Sequence, residues 1–284
     1  MEINQQKHYV IRKNKERLFL AAMVACAALS VLPLVLLVGY VFIRGIGAIN
    51  LAFFFNLPAP VGTPGGGMAN AILGTLMIVL IGCFFSLPIG VLAGIWLAEW
   101  GKGKTGFLVR YCVDILAGIP SIVLGIFAYV LIVLPLHRFS AIAGGFAVSL
   151  VMLPYITRTT EEMVRLVPRS LREAGLALGL PEWKVAWFVV LRTAWSGIFT
   201  GIMLAVARAA GETAPLLFTA FSSLYWNFRP DQPTASMTVQ IYNFAISPYE
   251  EWQQMAWAGS LVLMAIVLLI TVLVRKKSKR VSYG

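Results

Sequence analysis

The sequence predicts an all-α membrane protein with six transmembrane helices. Hydrophobic residues make up 59% of the 284 positions and charged residues only 12%, which is about half the charged fraction of an average soluble domain. The apolar residues are gathered in six long runs, and about 20 such residues let a helix cross a bilayer. So many spans leave little chain for a separate catalytic domain, which excludes an ordinary soluble enzyme.

Each run is bounded by polar residues or by glycine and proline. The first run resembles the apolar part of a signal peptide but is longer than one, so we predict an uncleaved span. The predicted spans are residues 18–43, 69–98, 107–136, 139–156, 195–221 and 254–274. The expected connections are a tail at 1–17, a periplasmic loop at 44–68, a cytoplasmic segment at 157–194, a polar and aromatic loop at 222–253, and a basic tail at 275–284.

The basic residues predict the orientation of the chain. The net charge is +11, and 18 of the 23 lysines and arginines fall in the two tails, the turn at 99–106 and the segment 157–194. Because short cytoplasmic loops carry an excess of lysine and arginine, both termini and residues 157–194 are expected in the cytoplasm. This topology explains the basic charge without a nucleic-acid partner.

Cysteine and histidine offer no metal or cofactor site. The three cysteines lie inside apolar runs without a CxxC motif, and the two histidines are far apart. The turn at 98–105 nearly matches a Walker A loop, but Ala98 replaces the first glycine and no strand precedes it. We therefore expect a basic turn at the membrane surface, and a chain that is not an enzyme and does not hydrolyse ATP itself.

The segment 157–194 predicts a short helix, a tight turn and a second helix outside the membrane. Ser170 and Glu173 have the spacing of a capping box, and Gly179 suits the left-handed position that ends a helix. Pro181 suits the first turn of the next helix, with Glu182 beside its positive end. The alternative is an amphipathic helix that lies on lipid headgroups.

Two pairs of charges fall inside predicted spans. Arg208 lies at the centre of the fifth span with Glu212 four residues later, and Pro215 leaves a backbone carbonyl without its helical partner. Since charges in the membrane are costly and usually face a path or a partner, the pair predicts an oxyanion site or a buried ion pair between helices. Arg110 and Asp114 form a possible secondary pair, or a snorkelling arginine near a span end.

The segment also carries the residues of a known motif. Glu173-Ala174-Gly175, Gly179, Val189 and Leu191 resemble the EAA motif of ABC-importer permeases, with Gly175, Val189 and Arg192 in place of its second alanine, isoleucine and proline. Residues 69–274 resemble the membrane subunit of a type I ABC importer, which has the MetI-like fold. Three stretches, at 114–121, 153–158 and 207–217, are similar to the phosphate permeases within that family.

The resemblance implies a partnership and a set of site residues. Glu173, Ala174, Gly175 and Gly179 would couple the chain to a separate cytoplasmic ABC ATPase, present in two copies. A second phosphate permease, forming a heterodimer with this chain, and a periplasmic or extracellular phosphate-binding protein would complete an importer in the bacterial inner membrane. Arg208, Glu212 and Arg158 would line the substrate path, although the positive-inside rule also explains Arg158 at the end of the fourth span.

Other functions remain open at this point. A permease for another oxyanion, such as sulfate or phosphonate, would carry the same coupling helix. An anion transporter or channel without an ATPase is disfavoured by the projecting helix pair. A membrane-embedded enzyme is disfavoured because the sequence has neither a metal-ligand cluster nor a nucleophile–base pair.

Overall fold

The computed structural model describes residues 2–63 and 65–281, and helices make up most of them. The helices are α1 (Glu2–Gly45), α2 (Leu51–Phe55), α3 (Ala69–Glu99), α4 (Gly103–Gly118), α5 (Ser121–Ala128), α6 (Leu134–Leu136), α7 (Ala141–Arg165), α8 (Arg169–Ala177), α9 (Glu182–Lys184), α10 (Leu191–Ala210), α11 (Ala214–Thr219), α12 (Met237–Ala245) and α13 (Glu250–Val281). Two π-helical segments, Tyr129–Val133 and Val185–Val190, join α5 to α6 and α9 to α10.

The predicted all-α membrane fold is confirmed. Within the described ranges, five helices and one bent pair are long and apolar enough to cross a membrane. The helices also continue into both predicted tails, because α1 begins at Glu2 and α13 runs to Val281. The rest of those tails, Met1 and residues 282–284, lies outside the described residues.

The third span is not the continuous helix predicted for residues 107–136. It is bent by 101° between Gly103–Gly118 and Ser121–Leu136. Pro120 has no N–H for a helical bond and favours an extended residue before it, and Ile119 has a ψ of 130°. Beyond the bend, α5 lies so close to α11 that a Cβ on Gly125 would stand 2.5 Å from Cα of Pro215.

The contact between α3 and α7 is built from small residues. Every fourth residue of α3 is buried over six turns, namely Gly74, Ile78, Gly82, Ser86, Gly90 and Gly94. A Cβ on Gly94 would stand 2.7 Å from the carbonyl oxygen of Thr157, and one on Gly90 would stand 2.8 Å from a methyl carbon of Ile156. Such stripes of small residues let two membrane helices approach to backbone contact.

Helix α7 is longer than the predicted fourth span, and α10 runs antiparallel beside it. The prediction ended the span at residue 156, but the helix continues to Arg165. Gly197 of α10 faces Met163, and Gly201 faces Thr159. Arg158 therefore lies within the helix and not at its end.

The fifth span is discontinuous. Helix α10 ends at Ala210, and α11 begins at Ala214. Ala220, just beyond α11, packs against Gly144 near the other end of α7, so the chain keeps its direction across the break. Residues 211–213 are unwound, so the predicted span 195–221 contains the helix break that Pro215 indicated, and the break lies just before that proline.

Helix α8 follows α7 through a proline and ends in a Schellman motif. The predicted capping box is wrong, because the N-cap residue is Pro168, two residues before Ser170, and the helix has no side-chain cap bond. The prediction for Gly179 is confirmed: its φ is +79°. The N–H groups of Gly179 and Leu180 donate to the carbonyls of Leu176 and Gly175, which is the Schellman pattern.

The two loops predicted on the other side contain helices. Residues 44–68 include α2, which Asn50 caps by accepting from the N–H of Phe53 at 2.9 Å. Residues 222–253 include α12, capped by the hydroxyl of Ser236, and α12 packs against α13. Both helices are short, so the hydropathy pattern gave no sign of them.

We predict that Gly94→Leu lowers the thermal stability of the chain in detergent, while Gly39→Leu does not. A leucine side chain at position 94 would collide with the backbone of α7 and with Thr160. Gly39 is also helical but has open space around its Cβ position. Overpacking of this kind costs about 1–3 kcal/mol, so we expect a drop of roughly 5 °C in melting temperature. Equal melting temperatures for the two variants would contradict the close α3–α7 contact.

Candidate functional site

Arg208 stands in the last turn of α10, at the edge of the unwound segment. Its guanidinium carbon lies 4.8 Å from the centre of the Tyr155 ring of α7, a cation–π distance. Its Nε lies 3.7 Å from Oε1 of Glu212. The Arg208 side chain is 52% exposed and that of Glu212 only 12%, so the arginine keeps donors free for another partner.

The unwound segment is held in place by backbone bonds and by α12. The N–H groups of Gly211 and Glu212 donate to the carbonyls of Arg208 and Ala209. The hydroxyl of Thr238 on α12 donates to the carbonyl oxygen of Glu212 at 2.7 Å. The Arg208–Glu212 pair therefore forms across a fixed break, whereas the sequence had placed both residues on one continuous helix face.

A wide groove opens beside the break. It has a volume of about 1240 Å³ and lies between α1, the end of α10, α12 and α13. Arg208, Glu212, Thr213 and Thr238 contribute its polar groups, and most of the remaining wall is apolar. Arg208, a cation with spare donors beside one carboxylate in a largely apolar groove, is suited to binding an anion that enters from solvent.

Arg158 lies one turn from Tyr155 on α7 and pairs with two acids. Its Nε donates to Asp114 of α4 at 3.0 Å, and its Nη2 also contacts that carboxylate. Its Nη1 donates to Glu161 at 3.2 Å. Tyr155 thus lies between Arg208, whose guanidinium it contacts, and the paired Arg158, which is nearer the C-terminal end of α7.

The predicted pair of Arg110 with Asp114 is wrong. Arg110 Nε donates to Oε1 of Glu161 at 2.6 Å, and its Nη2 donates to the carbonyl oxygen of Leu97 at 2.7 Å. Both α4 residues bond to α7 because α4 packs against α7, and each charge finds its opposite across that contact.

Glu161 is the functional candidate that the sequence prediction missed. Its side chain is 3% exposed and contacts Arg110 at 2.6 Å, Arg158 at 3.2 Å and Arg165 at 2.7 Å. Two of these partners lie three residues before it and four residues after it on the same helix. That spacing places the three side chains on one helix face, and it is the signal that the sequence held.

The predicted coupling residues lie on and after α8. Glu173 and Ala174 are exposed, while Gly175 is buried and lies against the side chain of Val185. Gly179 forms the exposed turn, followed by α9. Apolar side chains of this region face solvent, with Leu178 82% exposed, so α8 presents a surface suited to a partner.

Metal binding has no support in the residues that the structure describes. Three or more His, Cys, Asp or Glu side chains do not come together there in a metal-binding arrangement. Cys26, Cys83 and Cys112 are free.

Comparison with known proteins gives one family. The family described as "Binding-protein-dependent transport system inner membrane component" matches residues 90–283. In structure, the chain is similar to a chain of the MetNI methionine ABC transporter in an inward-facing conformation, with a TM-score of 0.57 and 18% identity over 76% of this chain and 94% of that one. At that identity the likeness supports the MetI-like fold alone.

Three relatives cover most of the chain. It is 42% identical to the phosphate transport system permease protein PstA of Yersinia pestis, over 96% of this chain and 92% of that protein. It is 47% identical to PstA of Xylella fastidiosa strain Temecula1 over 80% of each chain. It is 36% identical to the probable PstA of Methanocaldococcus jannaschii over 95% of each.

We predict that Glu161→Gln destabilises the chain and that Glu162→Gln does not. The first change leaves three arginines facing a neutral group, and removing one member of a buried ion cluster costs about 3 kcal/mol. Glu162 is the adjacent, exposed glutamate and serves as the matched control. Thermal unfolding in detergent measures the stability of both variants. An equal effect of the two changes would refute the role of Glu161 in joining α4 to α7 through its arginine pairs.

Proposed function

The chain belongs to the family of binding-protein-dependent transport system inner membrane components, and we propose that it is the permease subunit of an ATP-driven ABC importer for inorganic phosphate. Relatives named phosphate transport system permease proteins, 36–47% identical, support the substrate. The observation that carries the proposal is Arg208, half exposed beside a break in an apolar helix. The chain is a transport subunit and not an enzyme, since ATP is hydrolysed by a separate ATPase.

Arg208 and Glu212 have complementary tasks in this proposal. The planar guanidinium donates two parallel hydrogen bonds to phosphate oxygens, in a groove where few other groups compete. Glu212, within 4 Å of Arg208, orients it or accepts the hydroxyl proton of a hydrogenphosphate. Sulfate carries no such proton at neutral pH, so a carboxylate at this position favours phosphate over sulfate.

Arg158 is the next basic group toward the end of α7. One helical turn, a rise of about 5 Å, separates it from Tyr155, which contacts Arg208. In the structure its donors are occupied by Asp114 and Glu161. Phosphate passing Tyr155 would compete with these carboxylates, so Arg158 acts as a transient contact in the path and not as a resting site.

The exposure of Arg208 supports a second permease subunit. A half-exposed arginine in a membrane-spanning segment cannot rest against lipid tails without a cost of at least about 2.5 kcal/mol. A neighbouring subunit, together with water in the path, would cover this face of the chain. We therefore propose a heterodimer with a second phosphate permease, served by two ATPase copies and by an external phosphate-binding protein.

Helix α8 is the proposed contact with the ATPase. Its exposed Glu173 and Ala174 and its apolar surface would enter a groove of the ATPase, with Gly175 and Gly179 fixing the shape of the helix and its turn. Residues 157–194 would then be the coupling segment of a permease core at 69–274. This arrangement, like the charge distribution, supports cytoplasmic termini and a place in the bacterial inner membrane.

We predict that Arg208→Lys retains weak phosphate uptake and that Arg208→Gln retains almost none. Lysine keeps the charge but replaces the planar fork by a single point donor, and glutamine loses the charge. Uptake of labelled phosphate by vesicles that contain the complete transporter measures both variants. Arg138→Gln, which removes an arginine paired with Asp231 in a loop, is the control and should keep normal uptake.

The double change Arg208→Gln, Glu212→Gln separates a substrate site from a structural ion pair. A structural pair can be replaced by neutral groups, so the double variant would then recover uptake. We expect it to stay inactive while still assembling with the ATPase. Recovery toward the unmodified rate, at matched membrane expression, would show that the path lies elsewhere.

We predict that Gly179→Val separates ATP hydrolysis from phosphate uptake, while Gly179→Asn does so far less. The φ of +79° strains a β-branched residue by about 1 kcal/mol or more, whereas asparagine tolerates this conformation. Both substitutions face open space, so steric overlap is the same for the two. ATPase activity and uptake are measured on the same vesicles, and normal uptake with valine would refute the coupling role of the turn.

A further inference from the structure

A second charged cavity lies away from the Arg208 groove. It has a volume of about 690 Å³ and is formed where the end of α3, the start of α4, the end of α7 and α8 meet. We call it the basic cleft, and its charged lining residues are Glu99, Lys102, Arg110, Arg165, Arg169, Arg172 and Glu173. The groove beside Arg208 shares no residue with it.

The basic cleft keeps positive charge after its internal pairs are formed. Arg172 holds Glu99 through Nε and Nη2, at 3.1 and 2.7 Å. Glu161, which does not line the cleft, forms ion pairs with Arg110 and Arg165, which do. Five basic groups therefore face three carboxylates, counting Glu161 and Glu173, which leaves a charge of about +2 under ordinary protonation.

Two of the basic groups are open to a ligand. Within residues 2–63 and 65–281, the exposed side chains of Lys102 and Arg169 make no ion pair or hydrogen bond. Lys102 stands at the N-cap of the sixteen-residue α4, whose positive end adds to the local field. Arg169 is the first residue of α8, so the two groups line the cleft from two different elements, the α3–α4 turn and α8.

The chemistry of the cleft suits a phosphate group. Arginine offers parallel donors and lysine a compact charge, and both favour an anion with several oxygens over a single carboxylate. The volume of the cleft is within the range of small-molecule sites. Trp100 is exposed in the α3–α4 turn, and Phe107 is exposed in the first turns of α4. Exposed aromatic residues are typical of segments at the membrane–water boundary. Basic pockets at that level bind lipid headgroups.

We propose that the basic cleft binds a phosphate group between Lys102 and Arg169, joining the α3–α4 turn to the start of the coupling helix α8. The two sources of that group are the headgroup of an anionic lipid and free inorganic phosphate. Either would hold α8 in its position, in which Arg172 of α8 pairs with Glu99 of α3. The proposal of a cytoplasmic ligand uses the orientation given under the proposed function, but the site itself does not depend on Arg208 or on the transported substrate.

The test uses the assembled transporter in an Arg208→Gln background, so that the proposed substrate site does not contribute. One arm measures equilibrium binding of labelled inorganic phosphate in lipid-free detergent. The other counts lipids retained, by native mass spectrometry, from vesicles of phosphatidylglycerol or phosphatidylcholine. We expect Lys102→Gln with Arg169→Gln to weaken binding at least about a hundredfold in one arm, which identifies the source, because each of the two changes removes a charge-assisted bond.

Lys104→Gln with Arg192→Gln is the matched control. These residues are also one exposed lysine and one exposed arginine of the same side, and neither lines the cleft. Retained binding in this control supports a specific site. An equal loss in both double variants, or no loss in either arm for the cleft variant, overturns the proposal. Neither outcome bears on phosphate uptake through Arg208, which is measured separately.

Discussion

The backbone contact between α3 and α7 is the interaction on which the rest of the structure depends. Membrane helices gain little from hydrophobic burial against each other, so their association rests on close van der Waals packing. The small residues Gly82, Ser86, Gly90 and Gly94 of α3 supply that packing. Helix α7 in turn packs against α4, α5, α10 and α11, and it carries Tyr155, Arg158 and Glu161. The positions of Tyr155, Arg158 and Glu161, and of the charges that meet them, therefore depend on this one helix pair.

The low polarity of the membrane explains how those charges are distributed. Toward the end of α7, three arginines pair with two acids across helix contacts, and the buried Glu161 is the centre of that network. At the break between α10 and α11, by contrast, Arg208 has one carboxylate at 3.7 Å and an aromatic face. A network that is complete holds helices together, and a cation with spare donors is available to a passing anion. The two arrangements are neighbours in the fold, because Tyr155, which Arg208 contacts, lies one turn from Arg158 on α7.

Much of this architecture could be read from the sequence, because span number and helix endings depend on local composition. The apolar runs predicted the spans, and Gly179 predicted the left-handed turn that ends α8. The bends could not be read in the same way. Pro33, Pro88 and Pro154 lie inside continuous helices, whereas Pro120 marks a bend of 101°. Which proline breaks a helix depends on what packs beside it, here α11 against Gly125.

The ion-pair partners could not be predicted from the sequence either. Arg110 and Asp114 have ideal spacing for a pair along one helix, yet both bond to α7. The spacing of a helix is local information, but the identity of the facing helix is not. For Arg208 and Glu212 the spacing did predict the pair, although the residues meet across a break and not along a helix. The pair was therefore predicted for a partly wrong geometric reason.

The pairing of α1 with α13 can form only after α13 has been synthesised. Tyr40 of α1 lies edge-on to Trp257 of α13, and Gly45 admits the backbone of Trp257 so closely that a Cβ there would stand 2.7 Å from its carbonyl oxygen. Helix α1 thus leaves the ribosome well before the helix against which it packs. Until α13 is synthesised, α1 must wait in the bilayer without this partner. The wall of the groove formed by α1 and α13 is consequently the final part of the site to exist.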